Sequence, residues 1–138
     1  MTTKDKDLLT KDLCGRLPYG IKVEVCIKDK DIKSVDNVKY DTVGTYIRLI
    51  DDEKFSVKPY IRPMSSMTDD ERDDMREELE WVEAFGERFY DKTTEFYDWM
   101  NAHHFDYRGL IEKGLALEAP EDMYSKEDMP KLKEYYDD

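Results

Sequence analysis

Residues 59–71 read PYIRPMSSMTDDE, and the fold turns on this stretch. Upstream of it, apolar and polar residues alternate. Downstream, apolar residues recur every three or four positions. That change of period marks a passage from strands to helices. Pro59 and Pro63 close the strand pattern, because proline brings no N–H to a ladder. Each also keeps the residue before it out of helical geometry. Thr68-Asp69-Asp70-Glu71 then fits a capping box, with the threonine oxygen accepting from a backbone N–H and Glu71 reaching back. Three acidic residues in the first turn suit the helix dipole. The stretch is therefore a joint between a sheet and a helical half. Joint chemistry leaves Tyr60, Arg62, Met64 and the paired serines without an account.

Upstream of the joint, Ile21, Val23, Val25 and Ile27 alternate with Lys22, Glu24, Cys26 and Lys28, the pattern of a half-buried strand. The charged run DKDIKSVDN (29–37) follows. Then come VKYDTV (38–43), TYIRLI (45–50) and FSVKPYI (55–61), with Gly44 and residues 51–54 placed as turns. This spacing predicts three to five short strands over about residues 18–62, a small antiparallel curled sheet or partial barrel. Pro59 places the last strand at an edge or near its end. At the N-terminus, DKDLLTKDLC (5–14) has helical spacing of Leu8, Leu9 and Leu13, with Gly15 as the left-handed residue that ends it.

Downstream, Met75, Leu79 and Val82 form a stripe that predicts an amphipathic helix over 68–85, ended by Gly86. A second amphipathic helix is predicted over 92–103, with Phe96, Trp99, Met100 and His103 on one face. A short C-terminal turn and an apolar segment run to Pro120. Strands first and helices afterwards read as one α+β domain over 1–124, with a charged C-terminal tail over 125–138.

The chain has 138 residues, 34 acidic against 22 basic, and a formal net charge of −12. That field opposes phosphate backbones and anionic lipid, so direct nucleic-acid binding and membrane-surface binding are not expected. No apolar run reaches the ~20 residues of a membrane span. The start MTTKDKDLLT lacks a signal-peptide core. Cys14 and Cys26 are read as reduced thiols, and the compartment as cytoplasmic.

Signatures of known chemistry are absent: no G-x-S-x-G, Walker A, G-x-G-x-x-G, H-E-x-x-H or C-x-x-C occurs. His103 and His104 are neighbours, about 100° apart on a helix, and so are not the i, i+4 pair of a one-helix zinc site. They are read instead as a helix C-terminus where positive charge is favourable, with His103 packing inward. No metal and no cofactor are expected. Eight acidic residues fall between Asp69 and Glu80. They are a solvated face or, in a sharper reading, a row of carboxylates imitating nucleic-acid phosphates. The stretch HHFDYRGLIEKG concentrates side chains able to make specific contacts. With Tyr60 and Arg62, its residues His104, Asp106, Tyr107 and Arg108 are the candidate partner-binding set.

Three blocks carry a resemblance: DLCGRLPYGIKV (12–23), PYIRPMSSMT (59–68) and HHFDYRGLIEKGLALEAPEDMY (103–124). In these phrases and their order the chain resembles a family of small uncharacterised proteins encoded in gut Bacteroides and related genomes, often in phages and prophages. Residues 29–54 and 70–98 share only its general character, and the resemblance ends near Tyr124. It implies a mobile-element setting and supplies no activity. The expectation is a non-enzymatic accessory protein that binds another protein, with a homo-oligomer left open. The alternatives are an acidic nucleic-acid mimic that inhibits a DNA-binding protein and a small enzyme with an unrecognised carboxylate site.

Overall fold

The computed structural model describes residues 1–83 and 94–124, with side chains of the third helix described to residue 77. The order of elements is α1 (Thr3–Arg16), β1 (Ile21–Ile27), β2 (Ile32–Val38), α2 (Val43–Asp51), β3 (Phe55–Ile61), α3 (Asp69–Glu83), α4 (Thr94–Ala102) and β4 (Leu117–Glu118). The strands form one open sheet in the order β2-β1-β3-β4. The β2-β1 and β1-β3 pairs are antiparallel, and the short β3-β4 pair is parallel. This is the α+β architecture that the change of period predicts, with a mixed sheet that does not close into a barrel.

The sheet buries one face. Ile21, Val23 and Val25 of β1 and Val57 and Ile61 of β3 point to the same side. There they meet Leu9 and Leu13 of α1, Ile50 of α2, and Leu110, Leu115 and Ala116 from the segment after α4. A second apolar cluster of Trp99, Met100 and Phe105 lies under Met67, Met75 and Phe96. It gathers the helical half, with Met67 packing where α3 begins.

Several expectations are corrected. TYIRLI is not a strand: it lies in α2, where Val43, Tyr46, Leu49 and Ile50 turn to the core at helical spacing. Its β-branched content reads as strand, but spacings of three and four residues decide the conformation. VKYDTV is likewise divided between the end of β2 and the start of α2. The second strand instead falls in the charged run, because β2 keeps most of its side chains in solvent and lacks the burial that alternation records. Gly15 does not end α1. It sits in the last turn, where an added Cβ would stand 3.4 Å from the Asn101 amide nitrogen, so its lack of a side chain sets the approach of α1 to α4. The left-handed residue is Gly20, at φ 74°.

β3 is not an edge strand, since it lies between β1 and β4, but Pro59 does stand near its end. Its ring is tolerated because β4 pairs only with Tyr60 and Ile61, one residue further on. The helix predicted over 68–85 is present as α3 to Glu83, and the one over 92–103 as α4 from Thr94. The Gly86 end and the 125–138 tail lie outside the described residues.

The helical assignment of Gly44 can be tested directly. Nothing lies within 4 Å of an added Cβ there, and its φ is not in the left-handed range. Gly44→Ala is expected to raise stability by about 0.5–1 kcal/mol, because alanine is the better helix former. A turn glycine would show destabilisation instead, and chemical denaturation distinguishes the two.

Candidate functional site

The unexplained part of the joint is a polar hub built on Arg62. Its backbone joins two distant segments: the Arg62 N–H donates to the His104 carbonyl at 2.7 Å, and the Arg62 carbonyl accepts from the Asp106 N–H at 2.8 Å. Arg62 and Phe105 thus form a parallel bridge that continues β3. The guanidinium lies 4.2 Å from the centre of the Phe105 ring and donates to both Glu71 oxygens, at 2.5 and 2.6 Å. A further bond reaches the Ser66 carbonyl. Glu71 also accepts from the Thr68 N–H and hydroxyl, and the Thr68 hydroxyl accepts from the Glu71 N–H. The capping box is therefore present and tied through Arg62 to the sheet. Burial alone would raise the Glu71 pKa. The Arg62 hydrogen bonds, the Thr68 N–H, the Arg62 charge and the Thr68 hydroxyl outweigh it and hold the group at about 2.

A second polar centre lies on the opposite side of Phe105. Asp12 and Arg16 are one helical turn apart on α1 and both fully buried, and the Arg16 Nε donates to Asp12 at 2.8 Å. Arg16 also donates to the Phe105 carbonyl at 2.6 Å. Arg108 gives Asp12 a second cation at 3.1 Å and bonds to the Tyr107 hydroxyl, which donates to Asn101. Asp106 accepts from the Leu110 and Ile111 N–H groups and so starts the turn that follows.

Between these centres lie the histidines. His103 stacks on Trp99 at 3.9 Å, and His104, at φ 63°, stacks on Tyr124 at 3.7 Å. Burial first, then neighbouring cations, pushes His104 down to about 3. Burial, with Arg62 adding to it and Glu71 opposing it, pushes His103 down to about 4. Both are neutral at pH 7, so the expected role as charged residues at a helix C-terminus is replaced by aromatic stacking. The inward packing of His103 is legible in the face it shares with Trp99, whereas the burial of His104 is not, because it depends on Tyr124 returning over it.

Tyr124 performs a related service. Its hydroxyl donates to the Tyr60 carbonyl at 2.7 Å and accepts from the Lys22 N–H at 3.1 Å. It fills the gap where β1 and β3 diverge beyond Pro59. Burial raises its pKa to about 12, against the Lys22 N–H and the Arg16 charge, which lower it. The Tyr60 hydroxyl points elsewhere and donates to Glu24.

The six candidate partner-binding residues are thus divided. Arg62, His104 and Asp106 meet along one bridge; Tyr107 and Arg108 join the Asp12 centre; Tyr60 touches the first group only through its backbone. Beside Arg62 lies a cleft of about 430 Å³, lined by Pro63, Ser66, Thr68, Glu118 and Tyr124 among others. Glu121 and Asp122 also line it, while the Arg62 charge is matched by Glu71, so the cleft has acidic character and suits water or a cation better than an anion. Among the described residues, no group of three His, Cys, Asp or Glu side chains is set to hold a metal ion.

A second feature comes from the sheet edge. Among the described residues β2 has one strand neighbour, β1. Ile32 is 53% exposed and Val35 56% exposed. Tyr40, just beyond the strand, is more exposed still. Sequence reasoning missed this edge because it missed the strand.

The ionisations above give a pH dependence with a definite sign. Glu71 and both histidines have folded pKa values below their ordinary ones, so each contributes stability at neutral pH that is lost on acidification. The histidine part fades from about pH 6.5 toward 4 for His103 and toward 3 for His104, and the Glu71 part from about pH 4.5 toward 2. Glu71→Gln is expected to cost about 2–3 kcal/mol at pH 7, with a difference that vanishes near pH 2. His103→Phe keeps a ring on Trp99 and is expected to flatten the upper part of the curve. Denaturant midpoints measured from pH 2 to 8 check both. Tyr124→Phe leaves the Lys22 N–H and the Tyr60 carbonyl unsatisfied. It is expected to cost about 1–3 kcal/mol, with faster hydrogen exchange at the Lys22 amide.

Compared with known proteins, the chain matches no protein-family model, no curated protein and no solved structure.

Proposed function

We propose that this chain is a non-enzymatic accessory protein that acts by binding protein, and that it does so at the β2 edge. The observation that carries the reading is the edge itself. Among the described residues, a seven-residue strand presents backbone donors and acceptors to solvent beside exposed Ile32 and Val35. Such an edge is a template for strand addition, in which backbone hydrogen bonds supply affinity and alternate side chains supply specificity. The interior supports the same conclusion from the other side. The charged groups of the two polar centres are engaged in holding the fold, with Glu71 on Arg62 and Asp12 on Arg16 and Arg108. The resemblance to Bacteroides and phage proteins supports an accessory role in the cytoplasm of a bacterial host. No helix among the described residues is long and apolar enough to cross a membrane.

One observation favours the acidic mimic as a second reading. Glu71 turns inward to Arg62, while Asp69, Asp73 and Glu77 stay exposed at intervals of four residues on α3. They form a row of carboxylates rising about 6 Å per step. Binding to a basic, DNA-binding protein that weakens with salt, and is lost when these three become Asn, Asn and Gln, would establish it.

Site-specific photo-crosslinking tests the leading reading. A photoreactive residue in place of Asn37, on the β2 edge, is expected to trap a protein in cells. One in place of Glu53, exposed elsewhere, is not. Equal trapping at the two positions, or none at Asn37, would overturn it.

A further inference from the structure

We infer that the protein seated on the β2 edge is a second copy of this chain, paired antiparallel about Val35. This rests on the strand-addition reading above and names its occupant.

The direction of the backbone groups follows from Tyr124. The Lys22 N–H donates to the Tyr124 hydroxyl, which in turn bonds the Tyr60 carbonyl on β3, so Lys22 faces β3. The Lys28 N–H likewise donates to the Lys54 carbonyl. Hydrogen-bonding direction alternates along a strand, so Ile21, Val23, Val25 and Ile27 face β2. Their partners in register are Val38, Asp36, Ser34 and Ile32. The remaining residues of β2, Lys33, Val35 and Asn37, therefore direct their N–H and C=O groups outward.

Those three residues are spaced to pair with themselves. A two-fold axis normal to the sheet through Val35 sets Val35 opposite Val35 and Lys33 opposite Asn37 of the other copy. Each of these is a hydrogen-bonded pair, so every outward donor and acceptor of the three residues is used. On the core-side face the same register sets Ile32 opposite Val38 and Ser34 opposite Asp36. Two apolar contacts, a lysine beside an amide and a hydroxyl beside a carboxylate result, and no like charges meet.

Neighbouring registers are worse. Moving the axis to Asp36 sets carboxylate against carboxylate, and moving it to Lys33 sets ammonium against ammonium, both destabilising. Moving it to Ser34 leaves Asn37 beyond its ladder and puts Ile32 opposite Asp36. A one-residue slip turns each face over. Charged residues on an edge usually guard it against pairing. Here Lys33 and Asp36 guard against other registers while leaving this one open. The contact is small, so the dimer is of the concentration-dependent kind.

Sedimentation of the full chain is expected to show a reversible monomer–dimer equilibrium. Val35→Lys sets like charges on the axis and should weaken it about tenfold or more, with unchanged circular dichroism. An independent readout uses the Cys14→Ser, Cys26→Ser background. Paired Cα atoms on the axis stand about 5.5 Å apart, within disulfide range. Val35→Cys should therefore give a covalent dimer on mild oxidation. Lys33→Cys, whose symmetry mate lies four residues along the strand, should not. A chain that stays monomeric at every concentration, or equal cross-linking of the two cysteine variants, would overturn the inference. The Asn37 photo-crosslink separates this failure from that of the parent reading. A product of twice the chain mass is the second copy. A product containing another protein removes self-pairing and keeps strand addition. No product removes both.

Discussion

The pairing of Arg62 with Glu71 organises this structure. One residue uses both its backbone and its side chain: its amide and carbonyl extend β3 onto the segment after α4, and its guanidinium holds the first turn of α3. Sheet, joint and helical half are fixed relative to one another at a single point. The guanidinium lies on Phe105, which belongs to the second apolar cluster, so the ion pair is partly sheltered from water and its geometry matters. Breaking one partner of such a pair strands the other in a poorly solvated place, which is why removal is more damaging than the net worth of the pair suggests.

The second polar centre repeats this logic at the other end of the same short segment. Arg16 donates to the Phe105 carbonyl and is matched by Asp12, which Arg108 also reaches. Phe105 is thus held by arginines from both sides, with its ring on Arg62 and its carbonyl on Arg16. These contacts draw together the three phrases DLCGRLPYGIKV, PYIRPMSSMT and HHFDYRGLIEKGLALEAPEDMY. Each contributes a member: Asp12 and Arg16 from the first, Arg62 from the second, Phe105, Asp106 and Arg108 from the third. Tyr124, the last residue of the third, returns to bond Lys22 of the first and Tyr60 of the second. Specific phrases of this kind invite a functional reading, and here their side chains are largely used in assembling the fold. Among the described residues, β2 and the outer face of α3 carry exposed side chains that neither polar centre uses.

The sequence by itself determined much of the local structure. Alternation in β1 and β3, the capping box at Thr68 and the helical stripe after it all depend on neighbours within a turn or a few strand residues, and such patterns are written locally. It also determined the α+β class and the net negative charge. It misread TYIRLI, whose β-branched residues outweighed their helical spacing, and it passed over β2, most of whose side chains remain in solvent and carry no pattern. Tertiary structure alone decided which charges are buried. Asp12 and Arg16 look like any i, i+4 pair on a charged helix until Phe105 and Arg108 close over them. His104 looks like a solvated residue at a helix end until Tyr124 takes it out of water. Burial and pairing across about ninety residues depend on the whole chain, and so does the place of β2 at the end of the strand order among the described residues.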